Sequence, residues 1–73
     1  MSDEHISVFT GMLRGAVKRH ALLYADVYRI RTVDVLFHAI RRARRPYPIG
    51  KIKRQKLLKE IEVYESKQRS TNV

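Results

Sequence analysis

Apolar residues recur at helical spacing over three stretches of this chain, with polar residues between them. From Val8 to Val27, the residues Phe9, Met12, Leu13, Ala16, His20, Leu23, Tyr24 and Val27 share one face at about 100° per residue, and no proline interrupts. The pattern predicts a first helix over about residues 5–28. Asp3 is its expected N-cap, and Glu4 falls in the first turn, where a carboxylate suits the positive end of the helix dipole. Gly11 and Gly15 lie inside this helix, opposite the Phe9–Leu13–Leu23 face. Each costs about 1 kcal/mol relative to alanine. They read either as tolerated surface glycines or as a flat strip for a close-packed helix or a phosphate backbone.

Tyr28-Arg29-Ile30-Arg31-Thr32 alternates in character and is β-branched at Ile30 and Thr32, which predicts an extended connector or one short strand. Thr32 then caps a second helix over about residues 33–44, with Asp34 in its first turn and Val33, Leu36, Phe37 and Ile40 as its buried stripe. The apolar spacing nearly continues through Ile30, so one unbroken helix over residues 5–44 is the alternative. Pro46 and Pro48 disfavour helical geometry at Arg45 and Tyr47, so a Pro-Tyr-Pro corner ends the second helix, and Gly50 supplies a turn. A third helix follows over about residues 51–67, with Leu57, Leu58, Ile61 and Tyr64 as its apolar face. Beyond it the periodicity stops.

The fold class expected is therefore all-α: two or three helices in a single small domain, with frayed ends at about residues 1–4 and 68–73. A core in 73 residues supplies only roughly 3–5 kcal/mol without a staple. That favours a homo- or hetero-oligomer, or a subunit of an assembly. With no cysteine, neither a disulfide framework nor a cysteine-based zinc site can supply the difference. No apolar run approaches the ~20 residues that span a bilayer, and the acidic start Met1-Ser2-Asp3-Glu4-His5 is unlike a secretory or mitochondrial leader. Cytoplasm, nucleus or a virion fits best.

Charge changes the picture more than composition does. The net charge is +9. Residues 41–59 hold nine Lys or Arg and no acid, whereas residues 1–40 hold five bases and four acids, and residues 60–73 two bases and three acids. Phosphate backbones attract such a block without regard to sequence, through release of condensed counterions. Arginine can fork onto phosphates or base edges, and Tyr47 at the corner can stack on an exposed base. The residues expected to bind nucleic acid are Arg41, Arg42, Arg44, Arg45, Tyr47, Lys51, Lys53, Arg54 and Lys56. Lys51, Lys53, Arg54, Lys56 and Lys59 share no single stripe, which suits backbone contact with DNA or RNA rather than a recognition helix in a major groove. The alternatives are an adaptor, inhibitor or assembly subunit docking on an acidic protein, and, ranked lower, a helix lying on an anionic membrane.

Catalytic and metal-binding constellations are missing from the pattern. His5, His20 and His38 are scattered, and Asp26 and Asp34 are isolated. His20 falls on the apolar face of the first helix, where a lone histidine is ordinarily a hydrogen-bonded core residue. Gly11-Met12-Leu13-Arg14-Gly15 is too short for a phosphate loop and follows no strand. The expectation is a non-enzymatic protein without metal or cofactor.

Asp34-Val35-Leu36-Phe37 followed by Ala39-Ile40-Arg41-Arg42 resembles the start of the third helix of a histone fold, closest to core histone four. Arg31-Thr32-Val33 is similar to the basic loop before that helix, and Tyr47-Pro48-Ile49-Gly50 to that histone's Tyr-Gly-Phe-Gly ending. Val8-Phe9 and Leu13-Arg14-Gly15-Ala16-Val17 resemble the later half of its long median helix, so the resemblance spans residues 8–50. The sequence departs from that pattern ahead of Val8, where the first histone helix has no room, at His38, and beyond Gly50, where a helix continues. The resemblance implies a handshake dimer and DNA-backbone contacts from Arg29, Arg31 and Thr32.

Overall fold

The expected first helix is two helices. A computed structural model describes residues 4–42 and 47–71. Over those residues its elements are α1 (Ile6–Thr10), α2 (Gly15–Val27), α3 (Val33–Arg42) and α4 (Lys51–Thr71). Gly11 ends α1, its N–H shared between the carbonyls of Ser7 and Phe9. A Cβ built there would stand 2.9 Å from the Ser7 carbonyl oxygen, so only glycine closes this turn without a shift. Arg14 is then fully extended (φ −136°, ψ 154°), and Gly15 opens α2 at φ +59°, a conformation that costs other residues roughly 1–2 kcal/mol. Both glycines are exposed, as the surface reading has them, but they form the break between α1 and α2 rather than lying inside one helix. The unbroken 5–44 helix is excluded by this break and by a second one at residues 28–32.

That second break closes α2 with a Schellman motif. The Ile30 N–H donates to the Ala25 carbonyl (2.8 Å) and the Arg29 N–H to the Asp26 carbonyl (3.3 Å), with Arg29 in the left-handed region at φ 54°. Ile30 and Ala25 bury together beside the motif. The following residues are extended, as expected, and they pair with the N-terminal segment. His5 and Thr32 form an isolated antiparallel bridge, the Ile6 N–H donates to the Arg31 carbonyl (2.9 Å), and the Val33 N–H donates to the Glu4 carbonyl (2.8 Å). Thr32 stands at the start of α3, its carbonyl accepting from the Leu36 N–H. The N-cap of α1 is His5, whose Nδ1 accepts from the Ser7 N–H, and Glu4 lies ahead of the helix; Asp3 falls outside the described residues.

The core gathers Phe9, Leu13, Ala21, Tyr24, Ala25, Ile30, the whole Val33-Leu36-Phe37-Ile40 stripe, Ile49, Leu57, Ile61 and Tyr64, with Leu58 half-buried against it. Phe9, Phe37 and Tyr64 meet edge to face in a closed trio, with centroids 4.9, 5.4 and 5.6 Å apart. Each such pair contributes about 0.5–1.5 kcal/mol beyond its buried area. The trio joins α1, α3 and α4. The face expected for the first helix is only partly right. Phe9, Leu13 and Tyr24 are buried as expected, but Met12, Ala16, Leu23 and Val27 are exposed, because the break at residues 11–14 resets the helical phase and turns Ala21 and Ala25 inward instead. α4 runs to Thr71, one turn beyond the predicted end.

α4 packs against both α2 and α3, and α1 contacts the same two helices. The Tyr24 hydroxyl donates to the Ala39 carbonyl (3.3 Å) across α2 and α3. No helix among the described residues is long and apolar enough to cross a membrane. The expected Pro-Tyr-Pro corner begins at Pro46, outside the described residues. Tyr47 and Pro48 form a turn with a cis peptide bond between them, and Gly50 follows, its carbonyl accepting from the Arg54 N–H as α4 begins.

Candidate nucleic-acid interface

α4 carries its cations at three azimuths. At about 100° per residue, Arg54 and Glu65 flank the Leu57–Ile61–Tyr64 stripe on one side with Lys51 further round that side, Lys53 and Lys56 lie on the other, and Lys59 faces away from it. The first flank meets α3. Arg54 Nε donates to the Ile40 carbonyl and its Nη2 to the Arg41 carbonyl, both at 2.8 Å. These are carbonyls of the last α3 turn, which the helix itself leaves unsatisfied, and a guanidinium there also suits the negative end of the dipole. Arg41 forms a two-pronged pair with the Glu65 carboxylate, its Nη1 standing 3.2 Å from Oε2. The pair pushes the Arg41 pKa upward, chiefly through that hydrogen bond. Two of the nine residues expected to bind nucleic acid thus hold α3 to α4.

The rest divide as follows. Arg42 ends α3, Lys51 begins α4, and both are exposed. Tyr47 is 70% exposed in the turn between them. Lys53 and Lys56 are exposed on the flank of α4 that meets α2. Arg42, Lys51, Lys53 and Lys56 reach no carboxylate among the described residues. Arg44 and Arg45 fall outside those residues.

The α2 side of this seam adds two residues that the sequence reading did not place in the site. His20 is half-buried and makes no hydrogen bond among the described residues, so the core role expected for it is not the one it has. Its pKa lies below the ordinary imidazole value, first because burial penalises the charged ring and then because Lys53, Arg19 and Lys56 repel a further positive charge. Arg19 beside it is exposed. Four basic groups from two helices therefore share one surface. A basic-looking α2 was no signal for this, because the charge balance of residues 1–40 is nearly neutral. Only the packing of α2 on α4 assembles the group.

Arg29 and Arg31, which the histone resemblance would place on DNA, are exposed in the connector, and Thr32 is half-buried. Beside them lies an open cleft of about 550 Å³ lined by His5, Ile6, Leu22, Ala25, Asp26, Arg29, Ile30 and Arg31. Among the described residues, no three His, Asp or Glu side chains gather where a metal could sit. Comparison with protein-family models, with curated proteins and with solved structures finds no match to this chain.

Proposed function

We propose that this protein is a non-enzymatic nucleic-acid-binding protein that engages backbone phosphates of DNA or RNA through the cations its own fold leaves unpaired. The observation that carries the reading is the division just described. Arg41 and Arg54 are satisfied internally, whereas Arg42, Lys51, Lys53 and Lys56 are exposed and reach no carboxylate among the described residues. A small fold gains nothing in stability from unpaired like charges, since their mutual repulsion disfavours the compact state. A polyanion relieves that repulsion and gains from counterion release. Tyr47, exposed between Arg42 and Lys51, offers a ring to an unstacked base. Arg44 and Arg45 belong to the same acid-free run.

The test is a salt titration of binding to duplex DNA and to RNA. If about five phosphates are neutralised, log affinity falls with log salt at a slope near −4 to −5 on duplex DNA. A slope near zero rejects the reading. Retention of a protein partner after nuclease treatment, with no salt-dependent nucleic-acid binding, would assign the basic surface to an acidic protein instead.

A further inference from the structure

We propose that the seam between α2 and α4, where Arg19 and His20 meet Lys53 and Lys56, is the principal phosphate-binding site of this surface, and that His20 takes up a proton from solvent as a backbone phosphate docks. The inference rests on the nucleic-acid reading above and says where, and with what proton linkage, that binding occurs.

The placement is geometric first. α4 presents Arg54 to α3 and Lys53 and Lys56 to α2, on opposite sides of one buried stripe. The α3 side is closed by the hydrogen bonds and the ion pair of Arg54 and Arg41. The α2 side holds three formal cations and an imidazole. Glu60, one turn along the same flank, joins no ion pair among the described residues. Lys59 carries the same charge but faces away from the seam, and Lys51 lies round the α3 side of α4. A phosphodiester is singly charged and compact, so it is held best where cations from two elements converge on it.

His20 makes the site responsive. The groups facing it are Lys53 and Lys56 from α4 and Arg19 from its own helix, all positive, and burial adds to their effect, so the free ring is held neutral at pH 7. A phosphate oxygen placed among these groups reverses the local sign of the field. The ring then gains both an opposite charge and an acceptor for an N–H. Its pKa in the complex is therefore higher than in the free protein. Affinity consequently rises as pH falls through the bound-state pKa and levels off below the free-state pKa.

The experiment uses the full chain and a fluorescent duplex of about 20 base pairs, binding measured against salt at about pH 5.5 and 7.5. Lys53→Gln/Lys56→Gln is compared with Lys18→Gln/Lys59→Gln, which removes the same charge from exposed positions turned away from the seam. The first pair is expected to weaken binding roughly ten-fold and to flatten the salt slope by about 2, the second to change affinity less than about three-fold. Wild type is expected to bind about five- to ten-fold tighter at the lower pH, and His20→Gln to lose that gain while His5→Gln/His38→Gln keeps it. The His20 ring of wild-type protein, titrated by NMR with and without saturating duplex, gives a readout independent of any variant. A rise of about one pH unit or more on binding supports the assignment. Equal losses from the two lysine pairs, a pH gain that survives His20→Gln, or an unmoved His20 titration overturns the seam while leaving phosphate binding intact. A wild-type salt slope near zero overturns the nucleic-acid reading and the seam with it.

Discussion

The two flanks of α4 begin from the same material and end in opposite roles. Arg54 on one flank and Lys53 on the other are neighbours in sequence, inside the same acid-free run. Arg54 is half-buried, and two of its nitrogens donate to the terminal carbonyls of α3. Lys53 is exposed, lies close enough to His20 to repel its charged form, and has no acceptor among the described residues. One step of about 100° around the helix axis decides between the two roles. A charge count gives the strength of a basic segment, but the phase of the helix against its neighbours decides which charges remain for a partner. The chemistry of the two residues matches the division. A planar guanidinium serves two carbonyls at once, whereas an ammonium on a flexible stem stays hydrated and mobile.

The largest expected effect on stability tests the inner flank. Arg54→Gln removes both charge-assisted bonds and leaves the last α3 carbonyls short of donors. It should cost about 2 kcal/mol, a drop in Tm of roughly 8–16 °C for a domain of this size, read by far-UV circular dichroism. Lys53→Gln/Lys56→Gln should leave Tm within about 3 °C of wild type. If both variants melted alike, the two flanks would not differ in the way described, and Arg54 would return to the surface set.

Much of this arrangement was legible beforehand, in proportion to how local its causes are. The α3 stripe and the α4 face emerge from periodicity alone, since Val33, Leu36, Phe37, Ile40, Leu57, Ile61 and Tyr64 are buried as their spacing indicates. The break in the first helix was not legible, although Gly11 and Gly15 were visible. Periodicity over residues 9–27 is continuous, and a glycine's weak cost in a helix does not reveal that φ at Gly15 must be positive. That miss propagated, because resetting the phase at residues 11–14 moved Met12, Ala16, Leu23 and Val27 outward. Ile49 was missed as a core residue because it stands alone between Pro48 and Gly50, outside any periodic run. For the candidate site, the basic block was plain in the sequence. The internal use of Arg41 and Arg54 and the addition of Arg19 and His20 depend on which helices touch, and no local pattern encodes that.

Further along α4 the inner role recurs with a neutral donor, and alkaline pH separates it from the outer one. The Tyr64 hydroxyl donates to Glu4 Oε2 at 2.6 Å, tying the N-terminal segment to α4. Burial of the phenol and the adjacent carboxylate push its pKa up to about 12. Because the folded-state pKa is raised above the unfolded value of about 10, the stabilisation is complete below pH ~10 and is lost as pH rises through ~12. Tyr64→Phe keeps a ring in the edge-to-face trio and should cost about 1 kcal/mol at neutral pH. Its stability curve should also fall less steeply than that of wild type between about pH 10 and 12. Equal alkaline slopes in the two proteins would show that the Glu4 contact does not form in solution.

The smallest effect concerns adjacent arginines, and it is the sharpest comparison because the two differ by one position. Arg41 is paired with Glu65, but both side chains are more than a third exposed (44% and 38%), so solvent screens the pair. Such surface pairs contribute roughly 0.2–1 kcal/mol. Arg41→Gln should therefore lower Tm by about 1–8 °C and have little influence on nucleic-acid affinity, since its guanidinium is already neutralised. Arg42→Gln should leave Tm unchanged, because that side chain is exposed and reaches no carboxylate among the described residues. It should nevertheless weaken binding to every sequence alike and reduce the salt slope by about 1. The discriminating quantity is the ratio of the two losses in affinity at one salt concentration. If Arg41→Gln weakened binding as much as Arg42→Gln, Glu65 would be exchanging its arginine for a phosphate on binding. The inner flank of α4 would then be part of the interface as well.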